Sequence, residues 1–318
     1  MHRLRLMGVV VTCLAILLTG TGLLAQDAGS TQTLFEEMKA AEPQFGVVET
    51  IVTFENQGQK IAGTLALPDG GEAPYPIVLL FHGFKGERDE LPIVGVDEGM
   101  YTRTARALAG QGYASLRIDF RGSGDSEGEW ADTTFSSQID DAVAALDYLE
   151  TVSSVDASRI GIVGLSQGGL VAAAAAGRDP RVDTVVLWSA VAQPAATYPA
   201  FLGAELFSEG LTSGSEIFFT LPWGEETSLR QPFFQDVYNV DPVGEITRFA
   251  GPLMVVVGLR DTTVAPMPYM GQIYLNYHDG PEMLIAIDGD HVFDVLATGP
   301  EVLDEVIAWS LAWIKQTL

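Results

Sequence analysis

Between Arg159 and Gly177 the chain reads RIGIVGLSQGGLVAAAAAG, and that stretch permits few folds. Its first part is apolar without alternation, the pattern of a strand covered on both faces of a sheet. Its last part is a run of small residues, suited to a helix that packs closely on that sheet. Glycines stand two places before and two places after Ser166, where strand must become helix. Such spacing suits a turn too crowded for side chains, with the serine lifted above the sheet edge. A strand buried on both faces also needs helices above and below it, so the stretch demands an α/β protein.

The remaining chain supplies those layers. VVETIVTFENQGQKIAGTLALP predicts a hairpin turning at Asn56-Gln57-Gly58. YPIVLLFHG, ASLRIDF, VDTVVLWSA, PLMVVVG and EMLIAI read as further strands, separated by helical stretches such as MYTRTARALAGQGY. SSQIDDAVAALDYLETV is a helix that Ser136 or Ser137 can cap, and residues 301–318 form an amphipathic closing helix. This alternation predicts a mainly parallel, doubly wound sheet. One interval breaks the rhythm. Residues 191–245 are rich in aromatics and too long for one crossover, so they are expected to form a cap inserted over the sheet's carboxyl edge. The domain then runs from 47 to 318, with residues 26–46 as an N-terminal arm.

Residues 1–25 form a different kind of segment. His2, Arg3 and Arg5 precede an apolar run from Leu6 to Leu24, and small residues follow at Ala25 and Ala28. This is the pattern of a signal peptide for export to the periplasm or exterior; an uncleaved anchor helix is the alternative. The only cysteine, Cys13, falls in that run, so the rest of the chain has no disulfide and no thiol nucleophile. Asp and Glu outnumber Lys and Arg by 42 to 17, for a net charge of −25. Long-range repulsion disfavours nucleic acid and anionic membranes as partners.

A serine hydroxyl is a weak nucleophile until a base takes its proton. Of the four histidines, His2 lies in the leader, and His278 precedes the last predicted strand, at its opposite end. His291 follows that strand, and Asp261 follows PLMVVVGLR on the same edge. The order Ser166, Asp261, His291 therefore predicts a nucleophile, an orienting acid and a base. Asp290 is expected to be a local turn residue. A developing oxyanion needs preset donors, and the backbone N–H groups of Phe84 and Gln167 occupy the two turns that can supply them. His82 is assigned to holding that loop. RIDFRGSGDSEGEW carries several carboxylates, but their spacing fits no calcium loop, and it is read as a glycine-built turn bordering the site through Arg121 and Asp125. Neither metal nor cofactor is expected.

FHGFKGERDE, ASLRIDFRGSGDSEGEW, ALDYLE, GLSQGG and GDHVF occur in an order and at separations that resemble the α/β-hydrolase superfamily. The likeness is greatest to its bacterial feruloyl/cinnamoyl esterase-like branch and covers the chain from about residue 47 onward. The resemblance implies the α/β-hydrolase fold and a serine carboxylesterase acting on a small-molecule ester, with the cap holding the acid part. Trp223 and Tyr238 are the cap residues expected to touch that group. A serine peptidase or amidase of the same fold is the alternative. A non-catalytic ligand-binding member is less favoured, because no triad residue is missing.

Overall fold

A computed structural model describes the backbone of residues 24–318 and side chains from residue 31; the expected signal segment lies almost wholly outside the described residues. The chain begins with α1 (Leu24–Ala40), then β1 (Gly46–Asn56) and β2 (Gln59–Asp69). β3 (Tyr75–Phe81), α2 (Met100–Gly110), β4 (Ala114–Ile118), α3 (Phe135–Leu149), β5 (Val155–Leu165), α4 (Gln167–Arg178) and β6 (Val182–Trp188) continue it. The interval that breaks the rhythm contains α5 (Pro194–Leu202), α6 (Ala204–Thr212), β7 (Ile217–Thr220), β8 (Glu226–Leu229), α7 (Gln231–Asn239) and α8 (Pro242–Ile246). β9 (Leu253–Gly258), α9 (Tyr269–Asn276), β10 (Glu282–Ile287) and α10 (Glu301–Thr317) complete the described chain.

Eight strands form one sheet in the order β1-β2-β4-β3-β5-β6-β9-β10. β1, β2 and β4 pair antiparallel; from β4 to β10 every pairing is parallel. The β1–β2 turn is the two-residue Gln57-Gly58, with φ of 52° and 80°, the left-handed pair that a tight hairpin requires. Period-two geometry divides the sheet's apolar residues between two cores. Ile77, Leu79 and Phe81 of β3 join a core with α3, α4 and α9, whereas Val78 and Leu80 face one built with α2 and α10. The N-terminal arm is a helix packed on the closing one, where Phe35 stacks on Trp309 of α10 with ring centroids 4.0 Å apart.

Two local expectations change. The cap of α3 is neither Ser136 nor Ser137 but Thr134, whose hydroxyl accepts Ser137 N–H at 3.0 Å while Ser137 Oγ accepts Thr134 N–H at 3.1 Å. Such a reciprocal pair satisfies two otherwise orphaned N–H groups. The end of the aromatic interval also belongs elsewhere. α8 lies against α4, where Gly177 leaves no room for even a methyl group beside the Glu245 backbone.

Candidate active site

β5 delivers Ser166 in a strained conformation, φ 54° and ψ −116°, immediately before α4. The glycines make that turn possible. A Cβ on Gly164 would stand 2.2 Å from Gly168 O, and one on Gly168 only 1.9 Å from Phe81 O at the end of β3. Gly168 thus brings the serine turn against the loop that leaves β3. Tyr101 ties the same two strands together, donating from its hydroxyl to Phe81 O at 2.7 Å and accepting Leu165 N–H at 3.0 Å.

His291 and Asp261 arrive from the loops after β10 and β9, at the same carboxyl edge. Ser166 Oγ lies 3.0 Å from His291 Nε2, and His291 Nδ1 lies 2.7 Å from Asp261 Oδ2. Asp261 is held in turn by Thr263 N–H at 2.7 Å and Val264 N–H at 2.9 Å, both on Oδ1. The carboxylate accepts from Nδ1–H, which leaves Nε2 free to accept the serine proton. Asp290 points away, its Oδ1 accepting Val292 N–H and Asp294 N–H at 3.0 and 2.8 Å.

Phe84 N–H and Gln167 N–H have no protein acceptor among the described residues. Gln167 opens α4, so its N–H lies outside the helix's own ladder and at its positive end. The Gln167 side chain is turned aside, donating to Gln138 at 2.7 Å and accepting from Tyr198 of the cap. His82 is fully buried; its Nε2 accepts Phe120 N–H at 3.1 Å, which fixes the proton on Nδ1, 2.9 Å from Gly83 O. Burial lowers its pKa and favours that neutral form. His278 is remote, buried at the amino edge, with Nε2 2.9 Å from Gly251 O.

Above Ser166 and His291 lies a cavity of about 420 Å³. Its wall is largely apolar, including Phe84, Val191, Tyr198 and Phe201, and the Phe84 ring is anchored against Trp130, Tyr198, Phe201 and Phe233. Trp223 stands at its rim, 57 % exposed, with Nε1 donating to Glu225 at 3.1 Å. Tyr238 does not belong to the site. It packs its ring on Phe207 on the outer side of the cap and does not line the cavity, because the α7 face that is buried carries Phe233, Phe234 and Val237.

Arg121 and Asp125 do not border the cavity either. Arg121 turns to the buried Asp141 of α3 at 2.7 Å, and Asp125 pairs with Arg88 at 2.6 Å. Asp119 also binds Arg88, so the acidic stretch is an anchor for the loop after β3. Sequence reading passed over Glu90, which lines the cavity and accepts Gly83 N–H at 2.6 Å. Burial raises its carboxyl to about 7, against the opposing effect of the Gly83 bond. Its only signal was its place within FHGFKGERDE.

A family model described as X-Pro dipeptidyl-peptidase (S15 family) matches residues 57–217. The Bacillus subtilis (strain 168) protein YtaP is 30 % identical over 165 residues, covering 48 % of this chain and 55 % of its own length. Acylamino-acid-releasing enzyme 2 of Oryza sativa subsp. japonica is 24 % identical over 222 residues, 62 % of this chain and 26 % of the relative. The chain thus spans about half the length of YtaP and about a quarter of the rice protein. Among solved structures, Est1E from Butyrivibrio proteoclasticus with ferulic acid bound superposes with a TM-score of 0.65 at 21 % identity, over 83 % of this chain and 99 % of that one. The sheet, the serine turn and these likenesses are those of the α/β-hydrolase fold.

Proposed function

We propose, from the premise that the chain belongs to the X-Pro dipeptidyl-peptidase (S15) family, that it is a serine hydrolase that cleaves carboxylic esters through an acyl-enzyme. The observation that carries this reading is the continuous chain from Ser166 Oγ through His291 to Asp261, opening into an apolar cavity. Ser166 Oγ attacks the ester carbonyl as His291 Nε2 takes its proton, and Phe84 and Gln167 N–H groups receive the oxyanion. The imidazolium, stabilised by Asp261, returns the proton to the departing alcohol. Water, deprotonated by His291, then releases the acid and restores the serine.

The cavity's aromatic wall supports an aryl or hydroxycinnamoyl acid part. A dipeptidyl-peptidase reading, favoured by the family match, needs a carboxylate free to hold a substrate's amino group. Of the two carboxylates lining the cavity, Glu225 is paired with Lys85 at 3.2 Å and with Trp223, and Glu90, buried and facing no cation among the described residues, gives Oε2 to Gly83 N–H. That favours the ester. Export, with removal of the N-terminal segment, completes the proposal; N-terminal sequencing of protein recovered outside the cytoplasm tests it. The activity is tested on 4-nitrophenyl acetate, methyl ferulate and Gly-Pro-4-nitroanilide. The esters are expected to be the faster substrates in kcat/KM, and turnover of the anilide in preference to both esters would overturn the reading.

A further inference from the structure

The Phe84 N–H belongs to the peptide that also carries the Gly83 carbonyl, and a planar trans peptide points these two groups in opposite directions. Gly83 O accepts from His82 Nδ1–H at 2.9 Å and from Gly86 N–H at 3.2 Å, so Phe84 N–H is aimed away from both. One peptide earlier, Gly83 N–H is held by Glu90 Oε2 at 2.6 Å. Gly83 is therefore gripped on both sides, and the preset direction of the oxyanion donor follows from that grip.

Glu90 reaches this place at some cost. Its backbone is left-handed, φ 58°, a region unfavourable for a long side chain unless its surroundings hold it. Only 9 % of the residue is exposed, and it has no ion-pair partner among the described residues. The cations of its own loop are committed elsewhere, Lys85 to Glu225 and Arg88 to Asp119 and Asp125. Space for its carboxyl exists because residue 86 is glycine; a Cβ there would stand 3.0 Å from Oε1. A buried carboxyl without a cation is costly, and its bond to the Gly83 amide partly offsets that cost.

We propose that Glu90 is a positioning residue for acyl transfer: as the acceptor for Gly83 N–H, it sets the direction of Phe84 N–H in the oxyanion hole. The inference rests on the acyl-enzyme reading above. What the hole requires is the acceptor and its reach. A negative charge beside a developing oxyanion opposes catalysis, so charge and reach have opposite consequences and two substitutions separate them. E90Q keeps the reach and removes the charge. E90D keeps the charge but shortens the side chain, and aspartate tolerates a left-handed backbone better than glutamate does.

The test uses the full chain with 4-nitrophenyl acetate, reading kcat and KM separately, with thermal melts to establish folding. E90D is expected to lose about 10²-fold in kcat with KM changed by less than about threefold, the size of effect that misplaced oxyanion donors produce. E90Q is expected to lose less than about fivefold in kcat. Affinity for phenylboronic acid, whose tetrahedral serine adduct places an oxygen in the hole, should fall in parallel with kcat in E90D and hold in E90Q. E90N takes the place of E90D should the latter not fold. A folded E90D with kcat within about threefold of the parent, a loss confined to KM, or an E90Q as impaired as E90D overturns the inference. Fluorophosphonate labelling of the parent chain keeps the two readings apart. Labelled Ser166 with an unaffected E90D refutes the role of Glu90 alone, whereas failure to label Ser166 refutes the acyl-enzyme itself.

Discussion

Ser166 concentrates the consequences of its two contacts, the turn that strains its backbone and the imidazole 3.0 Å from its hydroxyl. Replacing it with alanine should lower ester turnover on the order of 10⁶-fold, by analogy with serine proteases, and abolish fluorophosphonate labelling. An active alanine variant, or a label on another serine, removes it from the reaction. The histidines divide by edge. His291→Ala should abolish hydrolysis, and His278→Ala should leave kcat/KM nearly unchanged, since His278 binds Gly251 O and accepts Gly280 N–H at the far end of the sheet. Burial lowers the pKa of His278 from its ordinary value of 6.5. A histidine that binds its proton less readily when folded contributes stability that is complete above 6.5 and lost as pH falls toward the lowered folded value. The raised carboxyls of Glu90 and of Glu282, 3.8 Å from His278 Nδ1, act in the opposite sense. The comparison of variants isolates the histidine: between pH 7 and 5 the melting temperature of His278→Ala should fall less than that of the parent. An equal fall would show that His278 does not titrate on unfolding.

The β5–turn–α4 element does two jobs with one kind of residue. Gly164 and Gly168 make the turn, and Gly177 lets the far end of α4 meet α8. A Cβ on Gly177 would stand 2.0 Å from Glu245 O, which is backbone and cannot swing aside. Gly177→Ala should therefore destabilise the fold by at least about 1–3 kcal/mol, the ordinary cost of overpacking, visible as a lower melting temperature. Because that contact is at the carboxyl end of α4 and Ser166 precedes its amino end, kcat of the folded fraction should change little. A parental melting temperature would mean that α8 moves freely, and its assignment to the sheet's flanking layer would be wrong.

Cap and sheet together enclose what neither could alone. Phe84 brings the loop after β3 into the aromatic cluster of α5 and α7, and Lys85 bridges to Glu225 at the cap's rim. In the proposed reaction, the wall that selects the acyl group is thereby also the wall that carries an oxyanion donor. Trp223→Ala should lower kcat/KM for a hydroxycinnamoyl ester more than for an acetyl ester, because the small acyl group needs less of the wall. Tyr238→Ala, on the outer side of the cap, should leave that ratio unchanged. Equal losses on both esters in a folded Trp223 variant would make the rim structural. The charge of −25 acts over the same whole molecule and opposes approach to polyanions.

Chain order and periodicity alone yielded the strands, the parallel sheet and the candidate residues Ser166, Asp261 and His291. Parallel strands send every following loop to one edge, so an acid and a base after later strands must approach a serine after an earlier one. The cap yielded less. Its helices are short and aromatic on more than one face, so the pattern that singled out Trp223 and Tyr238 could not say which ring turned inward, and the β7–β8 ribbon within it was not foreseen. The pairing of Arg121 with Asp141 and of Asp125 with Arg88 joins residues far apart in sequence, beyond any local pattern. Glu90 was hidden for a related reason. A glutamate in a polar loop reads as solvated, and only the folded loop, with glycines at 83 and 86 and the Gly83 N–H 2.6 Å away, gives its carboxyl a buried place and a partner.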